Sequence, residues 1–312
     1  MNPNVLIAAI RRLTIHDGPG IRDTVFVKGC PLHCVWCHNP ECISGKRQVI
    51  FHRKLCVNCG KCQAKCTQNV HSFDGTSKHL INRDNCLNCG KCAEHCLFNA
   101  LEICGESISV EEVFEKVFRD RDFFIPEGGV TLSGGEPAIY PEFAAELFKK
   151  LQSNSIHTAL DTCGAVRFEN YLQILPYTDL VLFDLKGMDP VRHKQNTGMD
   201  NTLILENLKK ISEYGTPVEI RMPIVPGCND FAGDIEAAGR LLQPIKRVVR
   251  VRLLAYHPFS EEKYAAAGVV NYMPAVQPPD KKHLDRIANT LESLLPSDIR
   301  LSISLKPAAS KN

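Results

Sequence analysis

Apolar residues along this chain fall into short blocks separated by longer amphipathic stretches. Blocks at Asp23–Val27, Val130–Leu132, Thr158–Leu160, Leu180–Asp184, Val218–Met222 and Val248–Leu254 read as strands. Between them, Tyr140–Leu151, Phe168–Leu175, Leu203–Tyr214 and Asp234–Leu242 carry the spacing of helices with one apolar face. Ser109 and Glu112 form a capping-box pair for a further helix running to Phe118. Strand after helix after strand predicts right-handed βαβ units and a parallel sheet. The six core strands are two fewer than a closed eight-stranded barrel needs, and Ile299–Leu305 adds a peripheral strand. The expected fold is therefore α/β, an open, partial (β/α)6 barrel, with a doubly wound sheet as the alternative.

From Ile50 to Cys104 the pattern breaks. This stretch is rich in Cys, Asn and Lys and has no long helical period. Cys56-Val-Asn-Cys59-Gly-Lys-Cys62-Gln-Ala-Lys-Cys66 recurs thirty residues later as Cys86-Leu-Asn-Cys89-Gly-Lys-Cys92-Ala-Glu-His-Cys96. Residues 51–103 are expected to form a compact insert whose metal clusters replace the core it lacks. Residues 1–50 and 104–312 then form the two parts of the barrel domain.

Composition narrows the function. The 312 residues are 44% hydrophobic, enough for a sizeable core and against disorder. A net charge of +2, from 37 basic and 35 acidic side chains, gives no electrostatic reason to expect nucleic acid or an anionic membrane as partner. The apolar stretch Val5–Ile10 precedes Arg11 and Arg12, the wrong order for a signal peptide, and no segment approaches the ~20 apolar residues of a membrane span. A cytoplasmic chain is expected. Fifteen cysteines in a reducing compartment point to metal rather than disulfides, and eleven of them lie in three tight clusters.

The first cluster, Cys30-Pro-Leu-His-Cys34-Val-Trp-Cys37, directly follows the first core strand, where a barrel builds its active site. Three thiolates on one loop suit three irons of a [4Fe–4S] cluster and leave the fourth open, as a catalytic centre requires. The alternative is zinc with a fourth ligand from His33, His38 or Cys42. The repeated C-x2-C-x2-C-x3-C runs match two-cluster ferredoxins, in which the fourth cysteine of each run serves the other cluster. One cluster would take Cys56, Cys59, Cys62 and Cys96, the other Cys86, Cys89, Cys92 and Cys66. Thr67 and Leu97 stand where ferredoxins usually have proline. Zinc is again the alternative. Cys42, Cys104, Cys163 and Cys228 are expected to be small buried residues.

Thr14-Ile-His-Asp17-Gly18-Pro19-Gly20-Ile21-Arg22, followed by Lys28-Gly-Cys30 through Cys37-His38-Asn39-Pro40-Glu41, resembles the glycyl radical enzyme activating enzymes, which are radical S-adenosylmethionine (SAM) proteins. The resemblance continues through GGVTLSGGEP (128–137), ALDTCG (159–164), DLVLFDLK (179–186), RMPIVPG (221–227) and LLAYH (253–257), and so spans nearly the whole barrel. It implies that Cys30, Cys34 and Cys37 hold the SAM-coordinating cluster. It also implies SAM contacts at Trp36, Cys37, His38, Gly134, Gly135, Glu136, Asp184, Leu185, Lys186, Arg221 and His257. Within that set, the GGEP loop would meet the amino group, Asp184 and Lys186 the carboxylate or ribose, and His257 the adenosyl moiety. Asp161 and Thr162 correspond to a monovalent-cation site, and Asp17 to a contact with the partner's glycyl loop. The implied cofactors are three [4Fe–4S] clusters, SAM and that cation. The implied partners are a glycyl radical enzyme and an external one-electron donor such as flavodoxin or ferredoxin, with the chain itself a monomer. The ferredoxin-like insert further resembles activases of lyases, dehydratases or decarboxylases of small organic molecules. Two rivals remain at this point: a radical SAM enzyme acting directly on a metabolite, and a non-catalytic electron carrier.

Overall fold

The computed structural model describes residues 4–74 and 78–304; Leu305, the last residue of the expected final strand, lies outside them. In chain order, β1 (Val5–Thr14) and β2 (Arg22–Val27) lead into the insert. The insert contains β3 (Gln48–Phe51), α1 (Lys61–Lys65), β4 (His71–Phe73), β5 (His79–Ile81), α2 (Lys91–Glu94) and β6 (Leu101–Cys104). After β7 (Glu106–Ile108) come α3 (Val110–Phe118), β8 (Gly129–Gly134), α4 (Pro141–Gln152), β9 (His157–Thr162), α5 (Phe168–Ile174) and β10 (Leu180–Asp184). Then follow α6 (Pro190–Thr197), α7 (Thr202–Tyr214), β11 (Val218–Ile224), α8 (Ala232–Leu242), β12 (Val248–Ala255), α9 (Glu261–Ala267), α10 (Lys281–Glu292) and β13 (Arg300–Ser304).

Among the described residues, the main sheet has nine strands in the order β13-β12-β11-β10-β9-β8-β2-β1-β7. From β2 to β13 every pair is parallel and each strand lies beside its predecessor in the sheet. A doubly wound sheet needs an order that reverses, so this topology is the partial (β/α)6 barrel, β2 and β8–β12, extended by β13. The strands β7 and β13 are the two edges, so the sheet stays open.

Register fixes what each face presents. Val25, Leu132, Leu160, Val181 and Val218 align on the face that packs against the helices in one large core. The opposite face carries Thr24, Thr131, Ser133, Asp161, Asp184, Glu219, Arg221 and Arg252. Period-2 alternation thus makes one side of the sheet a core and the other a polar cleft.

The Ser109–Glu112 capping box is present in both directions and starts α3. Other elements lay beyond the sequence signals. Strand β1 pairs antiparallel with β2, and its two arginines are used structurally: Arg12 pairs with Asp120, and Arg11 lies 4.8 Å from the Phe26 ring centroid. The ends of the insert join as an antiparallel pair in which Phe51 faces Leu101 and Gln48 faces Cys104. Arg83 docks the insert on the barrel, donating to Val49 O at 2.6 Å and to Ala266 O at 2.7 Å.

Candidate active site

The loop after β2 is held by its backbone. Gly29 and Cys30 donate to Cys42 O (2.8 Å) and Ile43 O (3.0 Å); His33 and Val35 donate to Thr197 O (2.7 Å) and Asn196 O (2.9 Å) at the end of α6. Lys28 is fully buried beneath it, bonded to Glu41 O and to Gln48 Oε1 at 3.1 Å. The sequence thereby presents Cys30, Cys34 and Cys37 on a rigid turn at the carboxyl end of a parallel strand, as the spacing predicts. Burial pushes the Cys34 thiol up to about 12 and Cys37 higher still. Cys30 moves the other way, first because Cys163 bonds to its sulfur. Loading metal onto this loop must therefore displace protons.

Three thiols fit three corners of a four-iron cluster. Cys163 touches Cys30 itself, and its own thiol is held well above the usual range, first by that bond and then by burial. It is placed to donate S–H to the Cys30 sulfur, whereas a ligand to another corner would have to stand apart from it.

The GGEP turn locks onto this loop. Gly135 N–H donates to Val27 O at 2.9 Å and Glu136 N–H to Gly29 O at 2.8 Å. A Cβ at Gly135 would lie 2.0 Å from Gly29 O, so the glycine permits close approach of backbone to the cysteine loop. Glu136 is fully buried and turned inward. Its Oε1 accepts from Ala138 N–H (3.0 Å) and Thr162 Oγ1 (2.8 Å), its Oε2 from Cys163 N–H (2.7 Å). Burial raises its pKa against these bonds. Thr162 also meets Tyr171 Oη at 2.8 Å. Glu136, Thr162 and Cys163 together tie the ends of β8 and β9.

The polar face gathers the remaining charges. Asp161 accepts from Ser133 Oγ at 2.7 Å and lies 3.3 Å from Arg221, while burial lifts it to about 6. Its Oδ1 is buried and, among the described residues, without a hydrogen bond. Lys186 pairs with Asp184. Burial works against the Lys186 charge, yet the Asp184 carboxylate paired with it outweighs burial and holds the ammonium protonated. Arg221 is 7% exposed, donates to His16 O at 2.7 Å and faces Asp17 at 3.9 Å and Glu219 at 3.8 Å. Asp17 also accepts from Thr24 Oγ1 at 2.9 Å. Arg22, which closes the DGPGIR stretch, is fully buried and donates to Thr131 Oγ1 (2.8 Å), Pro19 O (3.1 Å) and Val130 O (3.0 Å). That arginine fastens the stretch to β8.

His38, from the cysteine loop, and His257, just past β12, stack with ring centroids 4.2 Å apart. Burial lowers His38 to about 4 and lowers His257, so both rings are neutral near pH 7. The Trp36 indole packs instead with Val225 and Tyr256. Leu185 joins the main core. Lys263 of α9 reaches back to His38 O (3.0 Å), Asn39 Oδ1 (2.9 Å) and Glu41 (2.8 Å).

In the insert, chain reversal between the two runs brings the cysteines together across the repeat. One hollow is lined by Cys56, Cys59, Cys62 and Cys96, the other by Cys66, Cys86, Cys89 and Cys92. Each encloses about 340 Å³ of atom-free space, mouth included. Four thiols converging on each hollow suit a closed [4Fe–4S] site. Of the other cysteines, Cys42 and Cys104 are buried, Cys104 lying 3.8 Å from Lys28 Nζ, whereas Cys228, expected to be buried, is only partly so and packs near Trp36. His71 and His79, both buried in the insert, carried no signal in the sequence.

Residues 88–241 match the Radical SAM superfamily and residues 55–100 the 4Fe-4S dicluster domain. The chain is 40% identical to the trans-4-hydroxy-L-proline dehydratase activating enzyme of Clostridioides difficile, over 94% of this chain and 97% of that one. It is 38% identical to the (2S)-3-sulfopropanediol dehydratase activating enzyme of Klebsiella oxytoca, over 88% and 89% respectively. The fold is also similar to that of Streptococcus suis SuiB bound to S-adenosylmethionine, with a TM-score of 0.52 at 14% identity over 67% of this chain and 46% of that one. The cysteine loop, the GGEP turn locked to it and relatives aligned along nearly the whole length lead to one assignment: this chain belongs to the glycyl radical enzyme activating enzymes of the radical SAM superfamily.

Proposed function

We propose that this protein activates a glycyl radical enzyme by cleaving SAM at the Cys30–Cys34–Cys37 loop and directing the product radical to a glycine in its partner's backbone. The observation that carries this reading is the convergence of the cysteine loop, the GGEP turn and the charged ends of β9–β11 at one side of the sheet. Cys30, Cys34 and Cys37 would hold a [4Fe–4S] cluster there, which would supply the one electron that splits SAM into methionine and a 5′-deoxyadenosyl radical, the species that would take hydrogen from the glycine and leave as 5′-deoxyadenosine.

The chain's residues bind and orient. Cys30, Cys34 and Cys37 would hold the cluster by three thiolates, leaving room beside it for the amino and carboxylate groups of SAM. With the Glu136 carboxylate engaged inside, backbone carbonyls of Gly134 to Glu136 accept from the N–H groups of the SAM amine. Lys186 and Arg221 face the carboxylate, Asp184 the ribose, and the His38–His257 pair with the Trp36–Cys37 backbone the adenine. Leu185 shapes the floor from beneath, and Asp161 with Thr162 supports a monovalent cation. Such pre-set dipoles and charges cost no reorganisation when SAM reacts.

The two hollows of the insert hold the second and third [4Fe–4S] clusters, receiving electrons from a flavodoxin or ferredoxin. Arg83 and Lys263 link the insert, α9 and the cysteine loop into one path. Residues 1–50 and 104–312 act as the barrel and 51–103 as the electron module of a cytoplasmic monomer. No helix among the described residues is long and apolar enough to cross a membrane. Relatives named for dehydratases, a choline trimethylamine-lyase and an indoleacetate decarboxylase support a partner among such enzymes of small organic molecules. An open sheet admits a loop of another polypeptide, which a sealed pocket would not.

The test mixes reduced holoprotein, SAM and the candidate partner without oxygen and records electron paramagnetic resonance. The expected signal is a doublet that loses its main splitting when the partner's glycine carries deuterium at Cα. Turnover of a free metabolite without any such signal would overturn the reading.

A further inference from the structure

The two hollows of the insert mirror each other in their cysteines and in the residues that follow them. The Asn58 side-chain oxygen lies 3.7 Å from Cys56 Sγ, and that of Asn88 lies 3.7 Å from Cys86 Sγ. A histidine pair breaks this symmetry. His79 lines the first hollow and His71 the second, and they meet through the wall between them, His71 Nδ1 to His79 Nε2, at 2.9 Å. His79 Nδ1 stands 3.5 Å from Cys56 Sγ, and its Nε2 stands 3.7 Å from Cys62 Sγ. Among the described residues, no histidine is hydrogen-bonded to Cys86 or Cys92; the Cys86 sulfur accepts a backbone N–H instead, from its near neighbour Asn88 at 3.4 Å. The His79 ring is fixed edge-on to Phe51 (4.6 Å) and stacked on Phe73 (4.8 Å).

The proton count selects one tautomer. Two ring nitrogens 2.9 Å apart share one proton, so one ring donates there and the other accepts, and the accepting ring carries its own proton on its other nitrogen. If His71 Nδ1–H donates to His79 Nε2, the His79 proton sits on Nδ1 and points at Cys56. The reverse assignment turns a lone pair towards a thiolate and leaves His71 Nε2–H buried without an acceptor, since that nitrogen has no hydrogen-bond partner among the described residues. Only the first arrangement satisfies every donor.

Resting on the cluster reading above, we infer that His79, oriented by His71, donates an N–H···S hydrogen bond to the Cys56 thiolate and makes the cluster at Cys56, Cys59, Cys62 and Cys96 the more readily reduced of the insert's two. Reduction adds negative charge to a cluster and its sulfurs, so a fixed donor stabilises the reduced form more than the oxidised one. The asymmetry gives the electron module a direction that its cysteine repeat lacks. His71 is a positioning residue, acting through His79. A single metal ion is the competing use of these side chains, because Cys62, His71 and His79 bring ligand atoms within 4.8 Å of one another. It would take Cys62 from its hollow.

The test is an anaerobic redox titration of the full holoprotein followed by electron paramagnetic resonance, with iron and zinc measured on the same samples. His79→Phe keeps the ring shape and removes the donor; His79→Asn keeps an N–H near the Nδ1 position. In His79→Phe the reduced-to-oxidised ratio of one insert cluster at fixed potential should fall about fivefold, which is about 40 mV for a one-electron couple, with the other cluster unmoved. His79→Asn should restore most of it. If His79→Phe fails to keep its iron, His71→Phe takes its place, since it frees the His79 proton to leave Nδ1 and should lower the same potential. Unchanged potentials in fully iron-loaded variants overturn the inference. One zinc per wild-type chain, lost in both His71 and His79 variants, overturns it in favour of a metal ligand. Wild-type protein with about four irons per chain in place of about twelve overturns the cluster reading beneath it.

Discussion

Glu136 is the residue at which the structure sets a strut against the ligand contact implied by family resemblance, and its removal has a calculable cost. In Glu136→Ala, two buried backbone N–H groups, of Ala138 and Cys163, lose their acceptor, and Thr162 loses one of its partners. An unsatisfied buried donor costs about 1–3 kcal/mol, so the two together cost about 4 kcal/mol. Removing a buried carboxylate whose ionisation burial already disfavours returns part of this, leaving about 3 kcal/mol. With ~2.1 cal/mol/K of unfolding entropy per residue, a chain of 312 residues loses about 1.5 °C per kcal/mol. The melting temperature of Glu136→Ala should therefore fall by about 5 °C and that of Glu136→Gln, which keeps one acceptor oxygen, by about half as much. Circular dichroism melts of anaerobically prepared, equally iron-loaded proteins measure this, and calorimetric titration with SAM separates binding from stability. An alanine variant that melts with the wild type but no longer binds SAM would refute the strut and return the carboxylate to the ligand.

Other perturbations test the remaining parts. Cys34→Ala should abolish SAM cleavage while the protein retains about eight irons in the insert; cleavage at the wild-type rate would sink the loop assignment. Removing residues 51–103 leaves Val49 and Ile50 as a two-residue turn between the register partners Gln48 and Cys104, and should lower iron to about four per chain with SAM binding kept and turnover on physiological reductants slowed most. Zinc in place of iron in the anaerobically purified full chain would refute that reading. Asp17→Ala should leave partner-free SAM cleavage nearly intact and reduce radical transfer, read from the glycyl signal. An equal loss of both would mean that Asp17 acts through Arg221, which it faces at 3.9 Å.

Much of this protein was legible in one dimension because its signals are local. Strand and helix periods, the Ser109–Glu112 cap and the cysteine spacings depend on residues within a few positions of one another, and the strands alternate with helices in an order that permits few topologies. The ferredoxin-type repeat even anticipated which cysteines share a hollow, because interleaving follows from two equal runs folded back on each other. Long-range contacts decided the rest. No local signal marks β1 as a member of the sheet, since its pairing with β2 and the use of Arg12 by Asp120 span separate parts of the chain. Glu136 looked free for a ligand until β9 brought Thr162 and Cys163 against it. Arg22 closes the DGPGIR stretch in the sequence, and only the fold buries it against Thr131 Oγ1 and Val130 O of β8 and His157 O of β9. Cys163 gained its neighbour Cys30, and His71 and His79 gained each other, only where the chain returns on itself. Which atoms a buried polar group must satisfy is a property of its surroundings in space, and spacing along the chain does not carry it.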